Sequence, residues 1–381
     1  MRTLSLRLPM ATLLAIVALG VAAAGGFASS GLDVCTLAPR QSDGPEQIGT
    51  ILESVSVAGR DDIWAVGSNV VGGGSSPFAE RWNGITWKPL HLDVPQGHTS
   101  ISSLYDVKAF APDDVWAVGS LRGTDPLIQH WDGRSWMNVA TPAIAGTERI
   151  LTGVDGTSAE DLWVVGQRRD KGQMRGIILH RTSAGWQTVT PPSGTAVLHD
   201  VAMLPSGVPL VAGWSIDPEG FAQALLATGN GDAWTRETVP PTPEHNVFVL
   251  SLAVGSPGAV WAVGFSNDSP NGNTPVTMRR GDDGWTPVAV ADQGGSARLS
   301  SVATGPAGTV AVGQVTTDGR TRALAIRLSD DGWVPIPGAG DQPPDSLAGV
   351  ALDDADVWAV GRYTTAGGTY GIPTARVYSC G

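Results

Sequence analysis

Three observations predict an all-β fold, a seven-bladed β-propeller of four-stranded antiparallel blades. One unit of about 49 residues recurs seven times, each unit holds four short apolar stretches bounded by turn residues, and helix-breaking residues are abundant. With 50 Gly and 27 Pro in 381 residues, one position in five interrupts regular helices. Only 16% of residues are charged, and Lys occurs three times against 21 Arg, so the Ala/Glu/Lys/Leu periodicity of helical bundles and coiled coils is missing. A hydrophobic content of 42% with 14 Trp supports a large core and excludes a disordered chain.

The repeat is clearest at its second stretch. Close relatives of Asp61-Asp62-Ile63-Trp64-Ala65-Val66-Gly67 recur at 113–119, 160–166, 258–264 and 355–361, and two weaker copies carry Leu210 and Val310 in place of Trp. The aligned glycines, Gly67, Gly119, Gly166, Gly213, Gly264, Gly313 and Gly361, are 52, 47, 47, 51, 49 and 48 residues apart. The first stretch precedes each glycine by 14 or 15 residues and reads aliphatic, any, small, aliphatic, as in Leu52 to Val55 and Leu104 to Val107. A Trp 17 to 21 residues after the glycine (87, 136, 186, 234, 285 and 333) marks the fourth stretch. Between the third and fourth lies Asn83-Gly84 or Asp132-Gly133, expected to make a two-residue turn with positive φ at both positions.

The ends of the chain predict how the ring closes. A seventh fourth-strand Trp would fall beyond Gly381, so the last blade lacks its outermost strand, while residues 32–39 form an orphan strand ending in Pro39. That N-terminal strand is expected to join the last blade beside Ala375 to Cys380, with a linker over 40–50 and the blades over about 51–381. Cys35 and Cys380, the chain's two cysteines, would then be neighbours and form a disulfide. Closing a loop of some 345 residues, it would contribute at most roughly 5 to 6 kcal/mol in the chain-entropy account.

Residues 1–28 have the layout of a secretory signal peptide: Arg2 and Arg7, an apolar run from Leu8 to Val21, then small residues. The run is short for a membrane span. Leu32, Asp33 and Val34 make a poor lipobox before Cys35, so a secreted, unanchored and monomeric domain over 29–381 is expected. Removing residues 1–28 takes the formal charge from −12 to −14, which disfavours nucleic acid as a partner.

The Asn83-Gly84-Ile85-Thr86-Trp87 and Asp132-Gly133-Arg134-Ser135-Trp136 turns resemble shortened Asp-boxes of sialidase-type propellers. The repeat as a whole resembles BNR-like, kelch-like and WD-repeat-like propellers of secreted bacterial proteins, over nearly the entire mature chain. It departs from the Asp-box in having no residue between Asp and Gly. These families share architecture without sharing function, so the resemblance implies fold.

Eleven of the 14 Trp fall in the two repeated registers and are expected to pack between blades. The repeated glycine marks a close backbone approach or a bulge, and the acidic pair before the second stretch is expected to start its turn by side-chain to backbone hydrogen bonds. Catalytic signatures are scarce. The six His show no HExxH spacing, and there is no GxSxG elbow or phosphate loop. Should the chain be a propeller hydrolase or lyase, Asp106, His199 and Asp200 are the candidates at the pore mouth. No cofactor is expected and no metal site is assigned; Asn267 to Asn273 is the one loop whose composition could suit Ca²⁺, without EF-hand spacing.

Loop lengths point to a binding face. Turns after the first and third strands are short and constant, whereas those after the second and fourth vary, and variable loops on a rigid scaffold are where binding evolves. The residues following each glycine are directed there: Gln167, Trp214, Phe265, Gln314 and Arg362, with Arg169 and Tyr363 beyond them. An aromatic with Arg and Gln nearby suits a sugar; the alternative is that Trp214 repacks a blade that has Leu210 in place of its Trp. The expected function is a non-catalytic binding module for an extracellular glycan or protein, with a structural surface scaffold as a further alternative. Ser54, Asp106, Gly153, Asp200, Ser251, Ser301 and Gly349 are expected to narrow the pore.

Overall fold

The computed structural model describes residues 38–40, 49–71, 73–94, 101–231, 233–240, 246–255, 258–306, 308–338, 345–353, 356–362 and 377–379. Every described regular element is a β-strand. Six sheets are each built from four consecutive antiparallel strands; the first comprises Thr50–Gly59, Asp62–Val71, Gly74–Trp82 and Trp87–Leu90. A seventh sheet is described in part and is assembled from both ends of the chain. Ser346–Leu352 pairs along Val357–Arg362, which meets Val377–Ser379 at Ala359↔Tyr378, and Ala38–Arg40 pairs outside Val377–Ser379. The expected signal peptide, Cys35, Cys380 and most of the expected closing strand lie outside the described residues.

Seven apolar clusters hold the sheets together, each shared by two neighbours. Trp64 and Val66 of the first sheet pack with Leu104, Val115 and Trp136 of the second, and the last cluster joins Trp358 and Val360 to Leu52 and Ile63. Nine of the eleven repeated tryptophans are buried, while Trp186 and Trp234 are half-buried. Truncating a buried Trp of this kind to Ala costs about 3 to 5 kcal/mol, so the repeated aromatics act as wedges.

The acidic residue opening the second strand is expected from the sequence to start a turn by bonding backbone, but at Asp62, Asp114 and Asp161 the bonds it accepts come from side chains. Asp62 accepts two hydrogen bonds from Arg81 at 2.7 and 2.6 Å, and the Arg81 guanidinium lies 4.9 Å from the Trp64 ring. Asp114 accepts from Trp116 Nε1 at 2.9 Å and contacts His130 Nε2 at 2.8 Å, with His130 stacked on Trp116. Asp161, Trp163 and His180 repeat the arrangement. The register explains it, because Trp64↔Arg81, Trp116↔His130 and Trp163↔His180 are direct cross-strand pairs. At Asp161, burial pushes the carboxyl up but is outweighed by hydrogen bonds from Thr157, His180 and Trp163, which hold it below its ordinary value. Turn-starting survives at Asp353, which accepts from Asp356 N at 2.6 Å.

The outer hairpins also differ from the expected two-residue turn. Gly84 and Gly133 have φ of +86° and +90°, but Asn83 and Asp132 do not have positive φ. The connection is a four-residue loop closed by Asn83 N to Thr86 O, and Asn83 Oδ1 accepts from the amides of Ile85 and Thr86 at 3.1 and 3.0 Å. Asp132 does the same for Arg134 and Ser135, which holds its exposed carboxyl below its usual range. The side chain thus supplies the turn that backbone strain would otherwise have to make.

Candidate functional site

Each innermost strand carries a β-bulge, and the bulges build the site. In the first sheet Leu52 faces Gly67 and Ser54 faces Val66, so Glu53 is left as the extra residue. The same register shift displaces Tyr105, Thr152, His199, Leu250, Ser300 and Ala348 in the other six sheets. The repeated glycine permits this. A Cβ on any of the seven would stand only 1.9 to 2.1 Å from a carbonyl oxygen of the bulged strand, Ile51 O in the case of Gly67. Only a residue without a side chain lets the carbonyl turn inward there.

The seven displaced residues all line one cavity on the axis, about 450 Å³ in volume. Gln167, Gln314, Arg298 and Arg362 complete its wall on the variable-loop side. Its volume falls within the range that small-molecule clefts occupy.

The next residue in each strand has a different job. Ser54 Oγ donates to Asp106 Oδ1 at 2.7 Å, and Asp106 accepts from the amides of Val107 and Val154 at 2.9 and 2.8 Å. Asp200 accepts from Val201 N and Leu252 N, both at 2.7 Å. Ser251 Oγ accepts from Val302 N and Ser301 Oγ from Val350 N. Each bond to the following sheet fastens two neighbours, so this ring does more than narrow the pore. At Gly153 and Gly349 the neighbouring backbone comes so near that a Cβ would lie 2.9 and 2.8 Å from the Cα of Asp200 and Ser54. Burial pushes both Asp106 and Asp200 up, and the Asp106 charge raises Asp200 further.

Charge in the cavity is unevenly placed. Arg298 and Arg362 stand on the sixth and seventh sheets, with Glu53 on the first. Burial raises Glu53 more than the attraction of Arg362 and Arg298 lowers it. On the opposite wall, His199 Nδ1 lies 2.9 Å from the Leu250 carbonyl, which can only accept, so the ring proton sits on Nδ1. Burial disfavours the imidazolium more than this bond favours it, leaving a neutral ring with Nε2 unprotonated.

The sequence-derived candidates divide accordingly. Gln167, Gln314 and Arg362 line the cavity, as do Asp106, His199 and Asp200. Arg169 is ion-paired with Glu148 at 2.8 Å, outside the cavity wall. Trp214 is half-buried, edge-on to Phe248 at 5.1 Å, and Phe248 stacks on Phe265 at 5.0 Å, so the aromatics form a cluster behind His199. Tyr363 lies outside the described residues. Sequence reasoning passed over Glu53, Tyr105, Thr152 and Arg298. The signal for Glu53, Tyr105 and Thr152 was the unrestricted second position of the aliphatic, any, small, aliphatic motif, whereas Arg298 precedes the motif and its signal was its pairing with Gln314. Asn267 to Asn273 forms a hairpin tip in which Asn271 N and Asn273 N donate to Ser269 and Ser296 hydroxyls. Among the described residues no three His, Cys, Asp or Glu side chains gather as a metal site, and no helix is long and apolar enough to cross a membrane.

No protein-family model matches this chain, and no curated protein is significantly similar to it in sequence. Solved structures share its architecture. A catalytically inactive histidine-to-alanine variant of virginiamycin B lyase from Staphylococcus aureus, with quinupristin, superposes with a TM-score of 0.59 at 13% identity, covering 90% of this chain and 98% of the other. The WD40 repeats of RRP9 give 0.56 at 11% identity, over 91% and 97% of the two chains. The SapL1 lectin with alpha methyl fucoside gives 0.52 at 12% identity, over 78% and 99%. At such identities the likeness establishes a propeller, and the neighbours include enzymes and binding proteins alike.

Proposed function

We propose that this chain is an exported binding module, a closed seven-bladed ring whose axial cavity takes a sugar unit of an extracellular glycan. One observation carries the reading: a single backbone position, repeated seven times, presents Glu, Tyr, Thr, His, Leu, Ser and Ala side chains to one cavity. Positions serving the scaffold recur in kind, as the flanking aliphatic and small residues do, so the position free of that constraint is the one available to a ligand. Gln167, Gln314, Ser300 and Tyr105 supply the planar and hydroxyl partners that sugar hydroxyls require. A propeller can hold a sugar, as in the lectin neighbour with its methyl fucoside. Export rests on residues 1–28, and closure on the N-terminal strand with a Cys35 to Cys380 disulfide.

The test is a cell-wall and polysaccharide glycan array probed with the wild type and with Ser300→Trp, which fills the cavity from one bulge. Saturable binding lost in the variant, at an unchanged Tm, supports the reading; equal binding by both proteins places the ligand elsewhere. A hydrolase or lyase reading draws on the neutral His199 in the cavity wall. Turnover of an array-positive glycan that disappears in His199→Gln while binding persists would move the assignment there.

A further inference from the structure

We infer that the axial cavity recognises its ligand through a carboxylate, held between Arg298 and Arg362, so that the sugar it takes is an acidic one of the uronate class. The inference rests on the cavity being the ligand site. Its basis is an imbalance of partners. Four other arginines, Arg81, Arg149, Arg169 and Arg280, each have a carboxylate within 2.9 Å. Among the described residues neither Arg298 nor Arg362 has a carboxylate within ion-pair distance. Arg298 reaches Gln314 Oε1 at 3.3 Å, and its Nε is buried without a hydrogen-bond partner. A guanidinium in a cavity wall with no carboxylate partner matches a planar anion, whose two oxygens can take its N–H groups in pairs.

The two strand positions explain why both arginines face one place. Arg298 pairs across the sheet with Gln314, and Arg362 pairs with Ser346, so the cations stand at corresponding heights on adjacent sheets, at the rim of the bulge ring. Arg298 is held below its ordinary value by burial first and by the like charge of Arg362 second, with Glu53 opposing. Two guanidinium groups against one carboxyl leave this wall with a positive excess in a protein of net charge −12. A carboxylate would relieve the repulsion, and the ring hydroxyls of the same sugar would face Gln314, Gln167 and Ser300.

Titration calorimetry with glucuronate, galacturonate, glucose, galactose, acetate and inorganic phosphate tests this. The expected result is binding of at least one uronate at least tenfold tighter than its neutral hexose, with acetate and phosphate weaker than the uronate. Arg298→Gln and Arg362→Gln should each weaken the uronate tenfold or more while Tm stays within about 2 °C of wild type. Equal binding of glucose and glucuronate would overturn carboxylate recognition and leave the cavity as a sugar site. Phosphate as tight as the uronate would reduce the site to a general anion trap and overturn the sugar class. No binding of any probe overturns the inference, and the glycan array then judges the underlying reading separately.

Discussion

The periphery and the axis of this molecule use repetition in opposite ways. At the periphery, Trp64, Trp116 and Trp163 sit in one register, each crossed by a basic or imidazole side chain from the next strand and anchored near an aspartate. At the axis, one bulged position per sheet carries seven different residues. The lesson is that recurrence in a repeat protein marks scaffold, and a geometrically constant position that does not recur marks the candidate site.

The comparison can be broken most severely at the glycines that connect the two regions. Gly213→Ala would place a Cβ 2.1 Å from Val197 O, against backbone that cannot yield. We expect a loss of about 4 kcal/mol or outright failure to fold, whereas Gly59→Ala, with nothing within 4 Å, should leave the denaturant midpoint nearly unchanged. A mild Gly213→Ala would mean that the bulge is not forced by the glycine. Next comes Asp200→Ala, which strands the buried amide of Leu252 and should cost about 2 kcal/mol, with Asp200→Asn retaining most of the stability through its carbonyl oxygen. If both variants matched the wild type in urea unfolding, the latch would have no energetic role.

Glu80 sharpens the contrast from the scaffold side through pH. Buried in the third strand of the first sheet, its carboxyl is pushed up to about 8 from an ordinary 4.5. The protonated form is the one folding favours, so its stability contribution is complete below pH 4.5 and is lost as pH rises through about 8. Glu80→Gln should therefore raise Tm by roughly 5 °C at pH 8 and by little at pH 5, a difference read by calorimetry at the two pH values. A pH-independent effect would contradict the burial argument. The smallest stability effect belongs to the displaced residues of the axial ring: Ser300→Ala should move Tm by about 1 °C or less, while altering ligand affinity.

Much of the scaffold was legible in the sequence because it repeats. The glycine period gave the sheets, the first-strand motif the innermost strands, and the Asn83-Gly84 and Asp132-Gly133 pairs the outer hairpins, although Asx capping replaces the expected pair of positive φ angles. The site was legible only in part. Gln167, Gln314 and Arg362 were found because they follow the glycine, yet their cross-strand neighbours Ile150, Arg298 and Ser346 were not. A bulge is a property of register between two strands and leaves no residue signature of its own beyond the glycine opposite it. Trp214 drew attention as an aromatic outside the repeat, but its partners Phe248 and His199 come from strands whose contact depends on that same register.

The most direct test of the axial account is a crystal structure of the protein soaked with glucuronate. The account predicts the sugar on the propeller axis, its carboxylate within hydrogen-bond distance of Arg298 or Arg362 and its ring against the displaced residues of the innermost strands. A sugar bound instead at the second-to-third-strand loops, beside Arg169, with the axial cavity holding only solvent, would contradict it.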